Sequence, residues 1–254
     1  MSSKTIAIVG VLIVAVGLLG WNDKKVATQN TNPVHPASMS ENENLTIDPA
    51  EFESKVDNEF FALNPGAKFT YESIGKTGKE RTEVEVTKQT KVILGITTIE
   101  VVDRVWLDGQ LIKTTRNWYA QDVHCNVWHF GQAVDNFQDT QLVDHTGTWE
   151  AGVDGANPGI IMSEYPKIGA IYRQEDRRGQ AADLAEILAL DETVAVPYGN
   201  FDECLLVHEW SSIDPTVSGY KYYCPEIGFL VLSESVKSHT PKLQLIDVVI
   251  PQSL

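Results

Sequence analysis

The stretch from Trp149 to Met162 carries the densest set of residues able to do chemistry. Glu150 and Asp154 lie one turn of chain apart beside Trp149, among Gly152, Gly155 and Gly159, with Pro158 stiffening the exit. Two carboxylates next to an indole suit glycoside chemistry, in which one protonates a leaving oxygen while the other acts as base or nucleophile. The plainer account is an ordered crossover loop, whose glycines permit positive φ or close backbone approach and whose carboxylates cap backbone amides. A second set surrounds His124 and Cys125, with Asp122, Asn126 and His129 nearby. It contains neither Cys-x-x-Cys nor His-x-x-x-His, which argues against a transition metal. Asp122 and Asn126 with loop carbonyls offer the hard oxygen ligands of a calcium site, and exposed turn residues are again the plainer account. There is no Gly-x-Ser-x-Gly, phosphate loop or nucleotide fingerprint, and no cofactor is expected.

Aromatic residues are the third signal. Trp118, Trp128, Trp149 and Tyr223 are candidates to line a groove for an acyl chain or a glycan. On strands, alternate aromatics more often form core or cross-strand pairs.

The elements that must position these residues are strands. Thr82 to Thr87 alternates with period two, as does the neighbourhood of Ile99, Val101 and Arg104 to Leu107. Asp108-Gly109 between apolar runs signals a tight hairpin turn. Two further hairpins are expected around Asp122 to Cys125 and within Lys91 to Ile99. Ala181 to Leu190 is rich in helix formers, yet an internal repeat assigns it to a strand. Pro65-Gly66-Ala67 with Phe69 is echoed by Ile168-Gly169-Ala170 with Tyr172, Thr90-Lys91-Val92 by Glu192-Thr193-Val194, and Trp118-Tyr119-Ala120 by Tyr222-Tyr223-Cys224. All these matches share an offset of about 102–104 residues. The expected fold is all-β: a duplicated antiparallel meander, with repeats over about 60–130 and 160–250, forming one curved sheet or half-barrel. Asp48-Pro49-Ala50-Glu51 reads as the start of a short N-terminal helix ending near Asp57 or Asn58, with Asp48 as N-cap and Pro49 at its first position.

Ile6 to Gly20 is wholly apolar or Gly and is followed by Trp21, Asn22, Asp23, Lys24 and Lys25. Counted from Thr5 to Trp21 it suffices as a membrane anchor, with a cleaved secretory signal as the alternative. Residues 22–47 have the polar composition of a flexible linker, so the globular domain spans 48–254. The formal net charge of −15 excludes a nucleic-acid footprint, which requires clustered Lys and Arg. An extracytoplasmic setting permits disulfides. Cys204 and Cys224 flank Ile213-Asp214-Pro215 almost symmetrically, and face each other if that segment is a hairpin turn, leaving Cys125 free.

Several strings resemble motifs of a broad family of secreted prokaryotic β proteins of unassigned activity. They are Trp118-Tyr119-Ala120-Gln121-Asp122 with Asn126-Val127-Trp128, Trp149 to Ala156 with Pro158 to Met162, and Val194 to Phe201. Tyr222-Tyr223-Cys224-Pro225 with Gly228 completes the set. The chain departs from the pattern at Cys125, where a Gly is usual, and at Cys224, where an Ala is usual. The duplicated meander also resembles, in architecture alone, the half-barrels of periplasmic lipid and lipoprotein carriers. The function expected is a membrane-tethered, non-enzymatic extracytoplasmic module binding an apolar or amphipathic ligand. A structural or adhesive surface domain is one alternative, and a glycan-active enzyme using Glu150 and Asp154 another. Expected partners are the membrane, through residues 5–21, and a lipid or glycan. The expected location is the cell membrane with the domain facing the periplasm or exterior, or, alternatively, secretion.

Overall fold

The computed structural model describes residues 47–251 apart from 76–77, 178–180, 213, 215–216 and 237. The expected membrane segment and nearly all of the linker lie outside the described residues. Among the described residues, no helix is long and apolar enough to cross a membrane.

Twelve antiparallel strands form the framework: β1 (Lys68–Gly75), β2 (Gly78–Ile93), β3 (Ile96–Leu107), β4 (Gln110–Asp122), β5 (Val127–Gln138), β6 (Asn157–Met162), β7 (Ile171–Arg177), β8 (Ala181–Val196), β9 (Gly199–Ser211), β10 (Ser218–Cys224), β11 (Phe229–Ser235) and β12 (Pro241–Val249). Each pairs with its successor, and β12 returns to pair with β1, Val249 opposite Lys68. The expected curved sheet or half-barrel is therefore corrected to a closed barrel. Closure removes the two strand edges that an open sheet would leave to other chains.

β2 and β8 are both 16 residues long and lie at the offset read from the sequence. Thus β1 to β6 and β7 to β12 are successive halves of one ring. Ala181 to Leu190 is strand, since pairing with β7 and β9 on both sides outweighs the helical preference of its residues. The hairpin turns at Leu94-Gly95 and Asp108-Gly109 have both residues at positive φ (51° and 82°, 48° and 83°), matching the twist of their strands.

The expected N-terminal helix is corrected to a single 3-10 turn, Pro49–Glu51. Asp48 caps it as anticipated, accepting from Ala50 N at 2.9 Å. The chain then leaves the helical path because Phe52 and Glu53 pair with Asp122 and Gln121 at the end of β4. Phe52 sets its ring edge-on to Trp128 and Phe130. Strand addition and ring packing together outweigh what further helical turns offer so short a segment.

Beyond Phe52 the chain enters the end of the barrel and plugs it with Val56, Phe61 and Leu63, all buried. Phe61 packs on Phe229 and Tyr119, with ring centroids at 4.9 and 5.2 Å, and Phe229 stacks on Phe69 at 4.6 Å. The backbone of the plug is tied down by Ala62 N donating to Gly228 O at 2.7 Å. A disulfide joins Cys204 to Cys224, directly across β9 and β10. A smaller cluster sits on the outer surface. There Ile93 and Ile96, at the β2–β3 hairpin, cover Trp118, Ala120 and Phe130, while Trp149, Ala151 and Ala156 close it from the loop before β6.

Candidate functional site

Trp118, Trp149, Glu150 and Asp154 line one cleft of about 390 Å³, together with Lys91, Gln132 and Arg177. Its position follows from strand lengths. β6 has only six residues, so it pairs with β5 no further than His129 and with β7 as far as Asp176. Further along β5, the two-residue strand Trp149–Glu150 takes its place, opposite Gln132 and Gly131. The chain between, Ala151 to Ala156, bulges outward. Such a bulge is possible because Gly131 has no side chain: a Cβ there would lie 2.6 Å from the Trp149 carbonyl oxygen, at a φ of 142°. The wall is thus interrupted between β5 and β7. Residues of both faces reach the gap, outward-facing Trp118 and Ala133 as well as inward-facing Gln132 and Arg177.

Both cations of the cleft are ion-paired. Lys91 Nζ lies 2.6 Å from Glu150 Oε2 and 3.9 Å from the centroid of a Trp118 ring, so one ammonium serves an ion pair and a cation–π contact. Arg177 turns inward and its Nε lies 2.5 Å from Glu175 Oε1. Among the described residues, two buried groups at the cleft have neither a hydrogen bond nor an ion pair, Gln132 Oε1 and Trp149 Nε1. Gln132 uses its amide nitrogen on Gly147 O at 2.7 Å. Native interiors rarely leave such atoms unpaired without a water or ligand to meet them.

Behind Arg177 the barrel interior is polar. Glu209 is buried and accepts from Gln174 Nε2 at 3.1 Å and Tyr223 OH at 3.3 Å, with Lys221 Nζ 2.6 Å away. Glu175 faces Asp183 across β7 and β8, and Ser211 faces Asp183 from β9. Burial, with Asp183 adding to it against the pull of Arg177, lifts the Glu175 carboxyl to about 7. Burial and Glu209 lift Asp183 to about 6. Across the lumen, burial lifts Asp103 to about 6, while Lys113 and Asn117 oppose it. Asp183 Oδ1, Ser211 Oγ and Tyr172 OH also lack hydrogen-bond partners.

The other candidates fall elsewhere. Tyr223 is in the lumen on Glu209 rather than in the cleft. Trp128 packs on Phe52 outside the barrel, and its Nε1 donates to Asp122 Oδ2 at 2.9 Å. That contact is one of several protein donors on the carboxylate expected to serve with Asn126 as a calcium ligand. Asp122 Oδ1 accepts from His124 N and Asn126 N, and Oδ2 also accepts from Asn126 Nδ2. The carboxylate closes the hairpin, so protein donors already hold both oxygens. Cys125, in the same turn, adopts a φ of 60°, a conformation that glycine takes more readily. Among the described residues no group of three acidic, His or Cys side chains is arranged to hold a metal. His129 is buried against Tyr119 and Trp149, and burial holds its imidazole down to about 3.

The buried charges went unread in the sequence, although strand parity marks them. Asp183 shares a face with Ala185 and Ile187, and Glu209 with Leu205 and Val207, all of which are buried. Fold and site define a closed twelve-stranded antiparallel barrel with a polar lumen and a cleft in its wall lined by residues of both faces. No family, curated protein or solved structure matches the chain.

Proposed function

We propose that this domain is an extracytoplasmic binding module, without catalytic activity of its own, whose ligand is a neutral, hydroxyl-rich molecule such as an oligosaccharide. The observation that carries this reading is the pair of buried, partnerless groups at the cleft, the acceptor Gln132 Oε1 and the donor Trp149 Nε1. Around them stand paired cations and carboxylates and the indoles of Trp118 and Trp149, the mixture that sugar hydroxyls and ring faces require. The cleft charges offset one another, which favours a neutral ligand over a strongly ionic one.

An apolar ligand inside the barrel is less well supported, because the plug residues and Phe69 and Phe229 already fill the apolar part of the lumen. A glycosidase reading is weakened by Lys91, which occupies Glu150 through an ion pair. An uncleaved N-terminal segment at residues 5–21 would hold the module close to the membrane, where surface glycans are within reach.

Calorimetric titration with chitotriose, cellotriose and maltotriose tests the proposal. At least one is expected to bind, with the affinity lost in Gln132→Leu and in Glu150→Ala. Folded protein that binds none of them, or variants that bind as well as the wild type, would remove the cleft as a saccharide site.

A further inference from the structure

We propose that the saccharide affinity of the cleft is regulated by a proton held between Glu175 and Asp183, which decides whether Arg177 is clamped inward or turns out into the cleft. The inference rests on the reading of the cleft as a saccharide site and adds a control to it. Glu175 and Asp183 are direct register partners, both inward-facing, with only 2% and 4% of their surfaces exposed. Like charges set opposite each other in so dry a place cannot both ionise without a large cost.

The surrounding charges leave one carboxylate short of a partner. From β7, Arg177 is committed to Glu175 at 2.5 Å, and from β10, Lys221 is committed to Glu209 of β9 at 2.6 Å. Ser211 of β9 and the uncharged Pro158 of β6 are the remaining register neighbours of the pair. Three buried carboxylates among the described residues therefore meet two cations, and Asp183 is left facing the uncharged Ser211. A proton supplies the missing neutralisation with no ligand needed. The raised carboxyls of Glu175 and Asp183 agree with this arrangement.

Protonation of Glu175 removes the charge that holds Arg177. Arg177 lines the cleft already and its side chain is 15% exposed, so outward rotation gives the guanidinium water or a ligand hydroxyl in exchange. Acidification is therefore expected to strengthen saccharide binding by about tenfold, the worth of one added hydrogen bond from a charged donor. Alkaline conditions restore the inward clamp.

Two measurements on the intact protein test the switch. Without ligand, NMR titration follows the side-chain carboxyl carbons of Glu175 and Asp183 and the Nε–Hε group of Arg177. With ligand, calorimetry compares the best-binding trisaccharide at about pH 5.5 and about pH 8 for wild type, Glu175→Gln and Asp183→Asn. The Arg177 resonance should move with the Glu175 titration, and wild type should bind more tightly in acid. Glu175→Gln should bind equally tightly at both values, whereas Asp183→Asn should keep the dependence with its midpoint moved to lower pH. An Arg177 signal indifferent to Glu175, or a Glu175→Gln protein with the wild-type pH profile, overturns the switch. Absence of binding by wild type at both values counts against the saccharide reading, and the NMR titration then decides separately whether Arg177 is proton-controlled.

Discussion

The indole nitrogen of Trp128 donates to Asp122 Oδ2 at 2.9 Å, so the last residue of β4 is held by the second residue of β5 across their shared turn. This contact completes a set of four donors on one carboxylate, two of them backbone amides. Protein donors thereby lock the turn, and it also carries the backbone of Glu51 through the amide of Val123 at 2.8 Å.

Asp122→Ala should lower unfolding stability by about 2–4 kcal/mol, the range for removing several hydrogen bonds from a charged acceptor. Urea denaturation provides the measurement. Millimolar calcium should leave the wild-type midpoint unchanged, and a clear rise on adding calcium would restore the metal reading of Asp122 and Asn126.

The plug makes a second prediction. Phe61→Ala removes the ring between Phe229 and Tyr119 and should cost about 3–5 kcal/mol, as large-to-small core changes do. The same variant should bind a hydrophobic fluorescent dye that the wild type ignores, because the apolar lumen is then vacant. Wild-type dye binding at equal strength would mean that the plug does not fill that space.

How much of this was legible beforehand depends on the range of the interactions involved. The turns at Asp108-Gly109 and Leu94-Gly95 are encoded in neighbouring residues, and both were readable. Barrel closure was not, because the pairing of Lys68 with Val249 joins the two ends of the domain and leaves no mark on local alternation. The helix after Asp48 was expected from its cap, but the pairing of Phe52 with Asp122 is again a distant contact. Of the residues chosen for chemistry, Glu150, Asp154, Trp118 and Trp149 share the cleft. Arg177 and Gln132, which complete it, come from strands on either side of a gap that only the register reveals.

Breaking the Cys204–Cys224 bridge should destabilise the domain by about 3 kcal/mol, as expected for a loop of its size in the unfolded chain. Equilibrium unfolding with and without reductant reads this directly. Equal midpoints would show that cross-strand packing alone holds β9 and β10 together.

Stability should also depend on pH in a specific sense. Glu175, Asp183 and Asp103 hold protons more firmly folded than unfolded, so their contribution is full below about pH 4 and is lost as pH rises through about 6 to 7. His129 acts oppositely: its contribution is full above about 6.5 and lost as pH falls towards about 3. Glu175→Gln should therefore flatten the decline between about pH 5 and about pH 8 in urea midpoints. An unaltered slope would place that proton elsewhere.

Because β12 returns to β1, the ring has no intrinsic first strand. The residues at its two ends lie side by side, and a Cβ added at Gly66 would touch Pro251 at 3.0 Å. A short linker there, with new termini in the connection between β6 and β7, yields a circular permutant that keeps all twelve barrel pairings but omits the plug. Each half taken alone is an open arc with two unsatisfied edges, for which the simplest partner is another copy of itself. Viewed this way, the ring is two six-stranded arcs, each closing the open edges of the other within one polypeptide.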